Sequence, residues 1–359
     1  MNILKNLDKS LYKKLGIIIG CVVGIFVLII IFLIIKNGRL NYNQIENRMI
    51  HSAKNYYKDN KDLLPIANNG TVTITTDKLT EEKYLKDLKK LVKNKNDECS
   101  GVVTVTKNDD LYLYSATLSC GEKYTTKKVK DVIASNVTTS GDGLYQYNNE
   151  FIFKGDNPNN YLSFAGKTWR IIKINNDGSI KIIDTEKRDN IAWDDRYNSD
   201  KEYNVGINDY RVSRIRETLK SLLSEINKDN QVYLLKQNLC IGKRDYDEKN
   251  LDGTVECSDI VNDDIGLIQI NEYALASNSE LCKNPTDPEC TNYNYLANIG
   301  SMWTLNADSK TSYKVYKISN GVILTNAVNS SQPKMVVTIN PTVNHASGNG
   351  TQEKPYTFK

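Results

Sequence analysis

The residues of this 359-residue chain that could carry specific chemistry are its seven cysteines, its two histidines and a few carboxylates set beside aromatics. Cys21 sits alone in an apolar run. The other six, Cys99, Cys120, Cys240, Cys257, Cys282 and Cys290, are even in number and point to disulfides outside the cytosol. Residues 101–107 and 111–119 alternate Val, Thr, Leu and Tyr with polar residues around Asn108-Asp109-Asp110, which is a hairpin signal. In a symmetric register about that turn Cys99 faces Cys120, at the separation a disulfide spans. Proximity in the chain then joins Cys240 to Cys257 and Cys282 to Cys290. A metal site is the poorer reading, because no Cys-x-x-Cys occurs and His51 and His345 are remote in sequence from every cysteine. No metal and no cofactor is expected.

The aromatic stretch Ala192-Trp193-Asp194-Asp195-Arg196-Tyr197 shows no strand pattern. Trp and Tyr beside carboxylates suit sugar or peptide recognition, so Trp193, Asp194, Asp195 and Tyr197 are the expected ligand-binding residues, with Trp193 at the surface. Trp169 and Trp303 lie in apolar strand patterns and are expected in the core. Glu272 could act as a catalytic carboxylate, but no partner stands at a diagnostic spacing, so a cap or core hydrogen bond is the stronger reading. Asn176, Asp177 and Asp184 suggest a calcium loop only weakly, since Asp-Gly between alternating strands is ordinarily a turn. Arg211, Arg214 and Arg216 share their segment with Glu217 and Glu225, which reads as a solvated face rather than an anion site. A Gly-x-Ser-x-Gly elbow and a histidine metal motif are both absent. The expectation is therefore a non-catalytic binding protein, the alternative being a cell-envelope hydrolase that uses Glu272 or Asp194 and Asp195.

These residues need a frame, and the frame starts at a membrane. Residues 15–35 are apolar or glycine without a single charge, and about 20 such residues span a bilayer core. Lys5, Lys9, Lys13 and Lys14 precede the run, whereas only Lys36 and Arg39 follow closely. The N-terminus is thus expected in the cytosol and the rest outside, as an uncleaved single-pass signal anchor of the plasma membrane. Gly16, Gly20 and Gly24 share one helix face and suit a helix-mediated homodimer. The lipobox-like Ile18-Ile19-Gly20-Cys21 is followed by more apolar residues where a lipoprotein turns polar. Residues 1–40 carry six Lys or Arg against one Asp, so the whole-chain net of +4 leaves about −1 for the remainder. That excludes a nucleic-acid footprint, which requires clustered basic surface.

Beyond the anchor, Ile45, Met49, Ala53 and Tyr56 or Tyr57 recur at helical spacing, as an outward continuation of the membrane helix that runs on towards Pro65. A strand at 71–75, a helix from Asp77 through Val92 and the cystine hairpin complete a small α+β unit. Residues 71–127, especially Glu82-Lys83-Tyr84-Leu85 and the run from Cys99-Ser100-Gly101-Val102 to Cys120-Gly121-Glu122-Lys123-Tyr124, resemble the globular part of type IV pilin-like proteins of Gram-positive bacteria. Lys13-Lys14-Leu15-Gly16 resembles a prepilin leader, but Cys21 replaces the glutamate expected five residues past the glycine. The resemblance therefore implies a membrane-bound relative before a filament subunit. Residues 128–141, polar and aperiodic towards their end, read as a linker.

From residue 142 onward strands dominate, including a hairpin about Asn175-Asn176-Asp177-Gly178, a helix from Tyr210 to Ile226 and terminal strands near 295–296, 301–305, 313–318, 321–324 and 335–339. Asp142-Gly143-Leu144-Tyr145, Trp169-Arg170-Ile171-Ile172, Ile265-Gly266-Leu267-Ile268 with Glu272-Tyr273, Trp303-Thr304-Leu305 and Gly348-Asn349-Gly350-Thr351 resemble a module of bacterial surface proteins. That module is distantly similar to the C-type-lectin-like fold of sulfatase-modifying factors. The reactive cysteine pattern of those factors is absent, so their chemistry is not implied. The expected organisation is a cytoplasmic tail (1–14), a transmembrane helix (15–35), a small pilin-like α+β domain (36–127), a linker (128–141) and a larger C-type-lectin-like α+β domain (142–359). The partners it implies are the membrane and a cell-wall glycan or protein ligand.

Overall fold

The computed structural model describes residues 39–93 and 97–359, with Ile19 and Val22 besides. The expected membrane run, its glycine face and Cys21 otherwise lie outside the described residues. Among the described residues no helix is long and apolar enough to cross a membrane. The fold is α+β with strands predominating.

Asn41 starts the first helix, Tyr42–Asp59, through a capping box in which its side chain accepts from Gln44 N–H and the Gln44 side chain accepts from Asn41 N–H. The amphipathic helix therefore has its own N-terminus and is not run on from the preceding segment. Its stripe of Ile45, Met49, Ala53 and Tyr57 is buried against an antiparallel sheet of β1 (Thr71–Thr75), β2 (Cys99–Asn108), β3 (Leu111–Cys120) and β4 (Tyr124–Thr125), paired in that order. Gly101 sits where the helix meets β2; a Cβ there would come within 2.5 Å of Met49 Cε. The helix read through Asp77 to Val92 is two short ones, Thr76–Glu81 and Leu88–Leu91, because Lys83 between them is left-handed at φ +64°.

The pairing of β2 with β3 sets Cys99 opposite Cys120, and these two are bonded. Cys240 is joined to Cys257, and Cys282 to Cys290. All three bridges close local loops, of sequence separation 21, 17 and 8.

The second, larger core is built on a sheet with strand order Val336–Ile339, β9 (Ile180–Asp184), β8 (Lys167–Ile174), β6 (Glu150–Lys154) and β5 (Gly143–Tyr147). The first half of β8 pairs instead with β7 (Tyr161–Phe164), so β8 feeds two neighbours along one edge. A three-stranded sheet of Met302–Ala307, Lys314–Ile318 and Val322–Asn326 contributes to the same core. The strand expected at 295–296 is a turn whose Tyr295 and Leu296 are nevertheless buried. The helix expected from Tyr210 to Ile226 is Arg214–Leu222, capped by Ser213 and flanked by 3-10 turns.

The stretch read as a linker is structural. Val129–Ala134 is a short helix, and Val129 and Ile133 are fully buried in the larger core, an apolar pair four residues apart that a polar reading of 128–141 overlooks. A polar seam joins the two cores here. Lys128 Nζ donates to Asn344 Oδ1 at 2.7 Å, Thr342 O at 2.9 Å and Ser115 Oγ at 3.1 Å, while Asn344 Nδ2 donates to Ala116 O. The last residue, Lys359, reaches back to the buried Glu46 of the first helix at 2.7 Å.

Candidate functional site

A cavity of about 750 Å³ opens over one face of the large sheet. Its floor is a cross-strand row, Ile152 opposite Lys173, Lys173 opposite Lys181, and Lys181 opposite Thr338, all of which line it. A β-bulge creates this row. Trp169 through Ile171 pair with β9 in one register, and beyond Ile172 the register shifts by one residue, which turns Lys173 to face Lys181. Like charges directly opposite on a sheet repel, so the pair has to be neutralised.

Two carboxylates do so. Glu272, on the helix Ile270–Leu275 above the row, accepts from Lys181 Nζ at 2.5 Å and lies 3.9 Å from Lys173 Nζ. Glu150, two residues from Ile152 on β6, holds Lys173 Nζ at 2.9 Å. The other Glu272 oxygen accepts from the backbone N–H of Gln269, closing a capping box, so Glu272 is both cap and counter-ion. Burial alone pushes the Glu272 carboxyl up, and the Lys181 and Lys173 charges with those hydrogen bonds outweigh it and hold it below the ordinary carboxylate range. Burial pulls the Lys181 ammonium down, and Glu272 opposes that pull. With two ammonium groups against it, Glu272 stays ionised, and both its oxygens are occupied. It is poorly disposed to give or take a proton from a substrate.

The neighbouring Asn271 differs. It is 5% exposed and lines the cavity, yet its side-chain amide makes no hydrogen bond among the described residues, and its buried Oδ1 has no partner. Over it passes the loop Asp252–Thr254, where Gly253 is left-handed at φ +75° and a Cβ would come within 2.5 Å of Asn271 Nδ2. That loop is held by the Cys240–Cys257 bridge and by the fully buried Arg244, which pairs with Glu256 at 2.6 Å and donates to the carbonyls of Glu248 and Asn250. Asn69, from the turn before β1, reaches the opposite rim and donates to Lys236 O at 3.2 Å. Eight side-chain amides line the cavity, together with three lysines and four carboxylates.

The aromatic stretch expected to bind ligand lies elsewhere. Trp193 is fully buried, its Nε1–H donating to Thr304 O at 3.1 Å and its ring tilted against Tyr210. The expectation of an exposed tryptophan is corrected: its segment supplies too little strand periodicity to reveal burial, but the packing of Met302–Ala307 encloses the ring. Asp194 is also buried and spent, accepting from Arg196, Ile207 N–H and Arg214 N–H. Asp195 pairs with Arg214 at the surface, and Tyr197 is 57% exposed. The four do not converge on an open site, and the hydrolase alternative loses Asp194. Arg211 and Arg216 are likewise paired, with Asp259 and Asp263. Asp177 accepts from Ser179 N–H and Oγ–H, and Asp184 is buried against Arg188, so the weakly suggested calcium loop does not assemble.

Sequence reasoning singled out Glu272 but missed Lys173, Lys181, Glu150 and Asn271. The one available signal was a lysine among isoleucines in each of two strands, Ile171-Ile172-Lys173-Ile174 and Ile180-Lys181-Ile182-Ile183. With the geometry in place, comparison with protein families, curated proteins and solved structures finds no match to this chain.

Proposed function

We propose that this chain is a membrane-anchored display protein of the outer face of a bacterial plasma membrane, and that it binds a polar ligand in the cavity over the Lys173–Lys181 row without transforming it. The observation that carries the reading is the cavity itself: about 750 Å³, within the range of small-ligand sites, with a buried amide left unpaired at its wall. Three bridges suit an oxidising compartment, and the lysine-rich flank of the apolar run suits a cytoplasmic N-terminus. In this reading a pilin-like unit forms the stalk and a lectin-like unit presents the cavity. Filament assembly and hydrolysis are the alternatives; Glu272, with both oxygens engaged, speaks against the second.

The test has two arms. Protease added to intact cells should degrade the chain beyond Arg39 and leave an N-terminal fragment protected. The full-length chain in phosphatidylcholine nanodiscs should bind a defined array of cell-wall glycans and peptides and release its bound compound unchanged. Protection of the whole chain overturns the topology, and turnover abolished by Glu272→Gln overturns the non-catalytic reading.

A further inference from the structure

We infer that the cavity recognises an acetamido-bearing sugar chain, with the ligand amide paired against Asn271; this rests on the cavity being the binding site. The first ground is the unpaired amide. A residue only 5% exposed ordinarily has its buried acceptor satisfied, and leaving Oδ1 bare costs about 1–3 kcal/mol. A primary amide offers one acceptor and two donors, and the group that answers acceptor and donor together is another amide, through its N–H and its C=O. A carboxylate or phosphate supplies no donor for Asn271 Oδ1 and would meet Glu272, Glu150 and Asp252 in the same wall.

The second ground is the rest of the lining. Three lysines against four carboxylates leave almost no net charge, so a polyanion gains nothing there. The amides, among them Asn69, Asn148, Asn175 and Asn238, match hydroxyl groups, which both donate and accept. The third ground is the floor. It is the face of β6, β8, β9 and the end strand Val336–Ile339, whose outer side is already bonded to Gly266 and Leu235, and an extended peptide captured by strand addition needs a free edge instead. A sugar chain read by side chains needs none. The glycine at 253 lets the loop lie directly on Asn271 and fixes that wall of the cavity.

Titration calorimetry of the full-length chain in phosphatidylcholine nanodiscs tests this with chitotetraose, cellotetraose and tetra-alanine. Chitotetraose, as the fully N-acetylated tetramer, should bind at least tenfold more tightly than cellotetraose, which carries a hydroxyl in place of each acetamido group. Asn271→Asp, isosteric but without the amide donor, should remove that tenfold. Asn271→Leu should remove it too while leaving the melting temperature unchanged or raised, because it deletes an unpaired acceptor rather than a made hydrogen bond; a purely structural asparagine would lower it. Equal binding of the two sugars overturns the acetamido inference and leaves the cavity reading standing. Tetra-alanine binding without sugar binding overturns the sugar class. No binding by any of the three overturns both.

Discussion

Replacing Glu272 by Gln removes the charge that holds two opposed lysines together, and its cost follows from the geometry. The Lys181 and Glu272 side chains are 11% and 5% exposed and 2.5 Å apart, so this is a buried pair rather than a screened surface one. Breaking such a pair from one side leaves an uncompensated buried ammonium and costs about 3–5 kcal/mol. The repulsion between Lys181 and the opposed Lys173, then balanced by Glu150 alone, adds to that figure. For a core of this size the melting temperature should fall by roughly 10 °C. Trp169, Trp193 and Trp303 all lie in the larger core, so tryptophan fluorescence during urea unfolding reads the loss where it occurs. The double variant Lys181→Met, Glu272→Leu, which removes both charges, should return to within about 1.5 kcal/mol of the parent. The pH dependence has a definite sign. Because the folded carboxyl lies below its ordinary value of 4.5, the stabilisation is fully present above that value and is lost as pH falls through the lower folded one. A cost under about 1 kcal/mol for Glu272→Gln would refute the argument that this pair is buried and mutually required.

Further outcomes follow from other parts of the molecule. Trp193→Ala should destabilise by about 3–5 kcal/mol in the same urea assay, since it empties a fully enclosed site and leaves the Thr304 carbonyl without its indole donor. At the seam, burial takes Lys128 from 10.5 down to about 8 against the opposing pull of Glu46 and Asp131. The folded state is then penalised at pH below about 8 and relieved as pH rises towards 10.5, a gain of at most about 3 kcal/mol. Lys128→Met should flatten that rise relative to the parent in denaturation curves taken from pH 7 to 10.5. Maleimide labelling of the unfolded, unreduced chain should modify Cys21 alone of the seven cysteines, and mass spectrometry would expose any other labelled thiol.

What the chain's own order determines is what depends on neighbours along it. The Cys99–Cys120 hairpin was legible because the turn at Asn108-Asp109-Asp110 sets the register of ten residues on each side, and the two other bridges close short loops. The apolar stripe of Tyr42–Asp59 was legible because helical periodicity survives without context. Tertiary structure decided the rest. A symmetric turn about 175–178 would put Lys173 opposite Ile180; the bulge at Ile172 puts it opposite Lys181, and pairing energy across two strands, not local preference, selects between them. Glu272 lies 91 residues from Lys181, so their contact exists only after the helix Ile270–Leu275 packs over the sheet. The burial of Trp193 likewise depends on a strand more than a hundred residues away, where the carbonyl of Thr304 lies 111 positions along the chain. Periodicity reports which face of one element is apolar; which charge meets which, and which amide is left unanswered, is settled by elements that meet only in the folded chain.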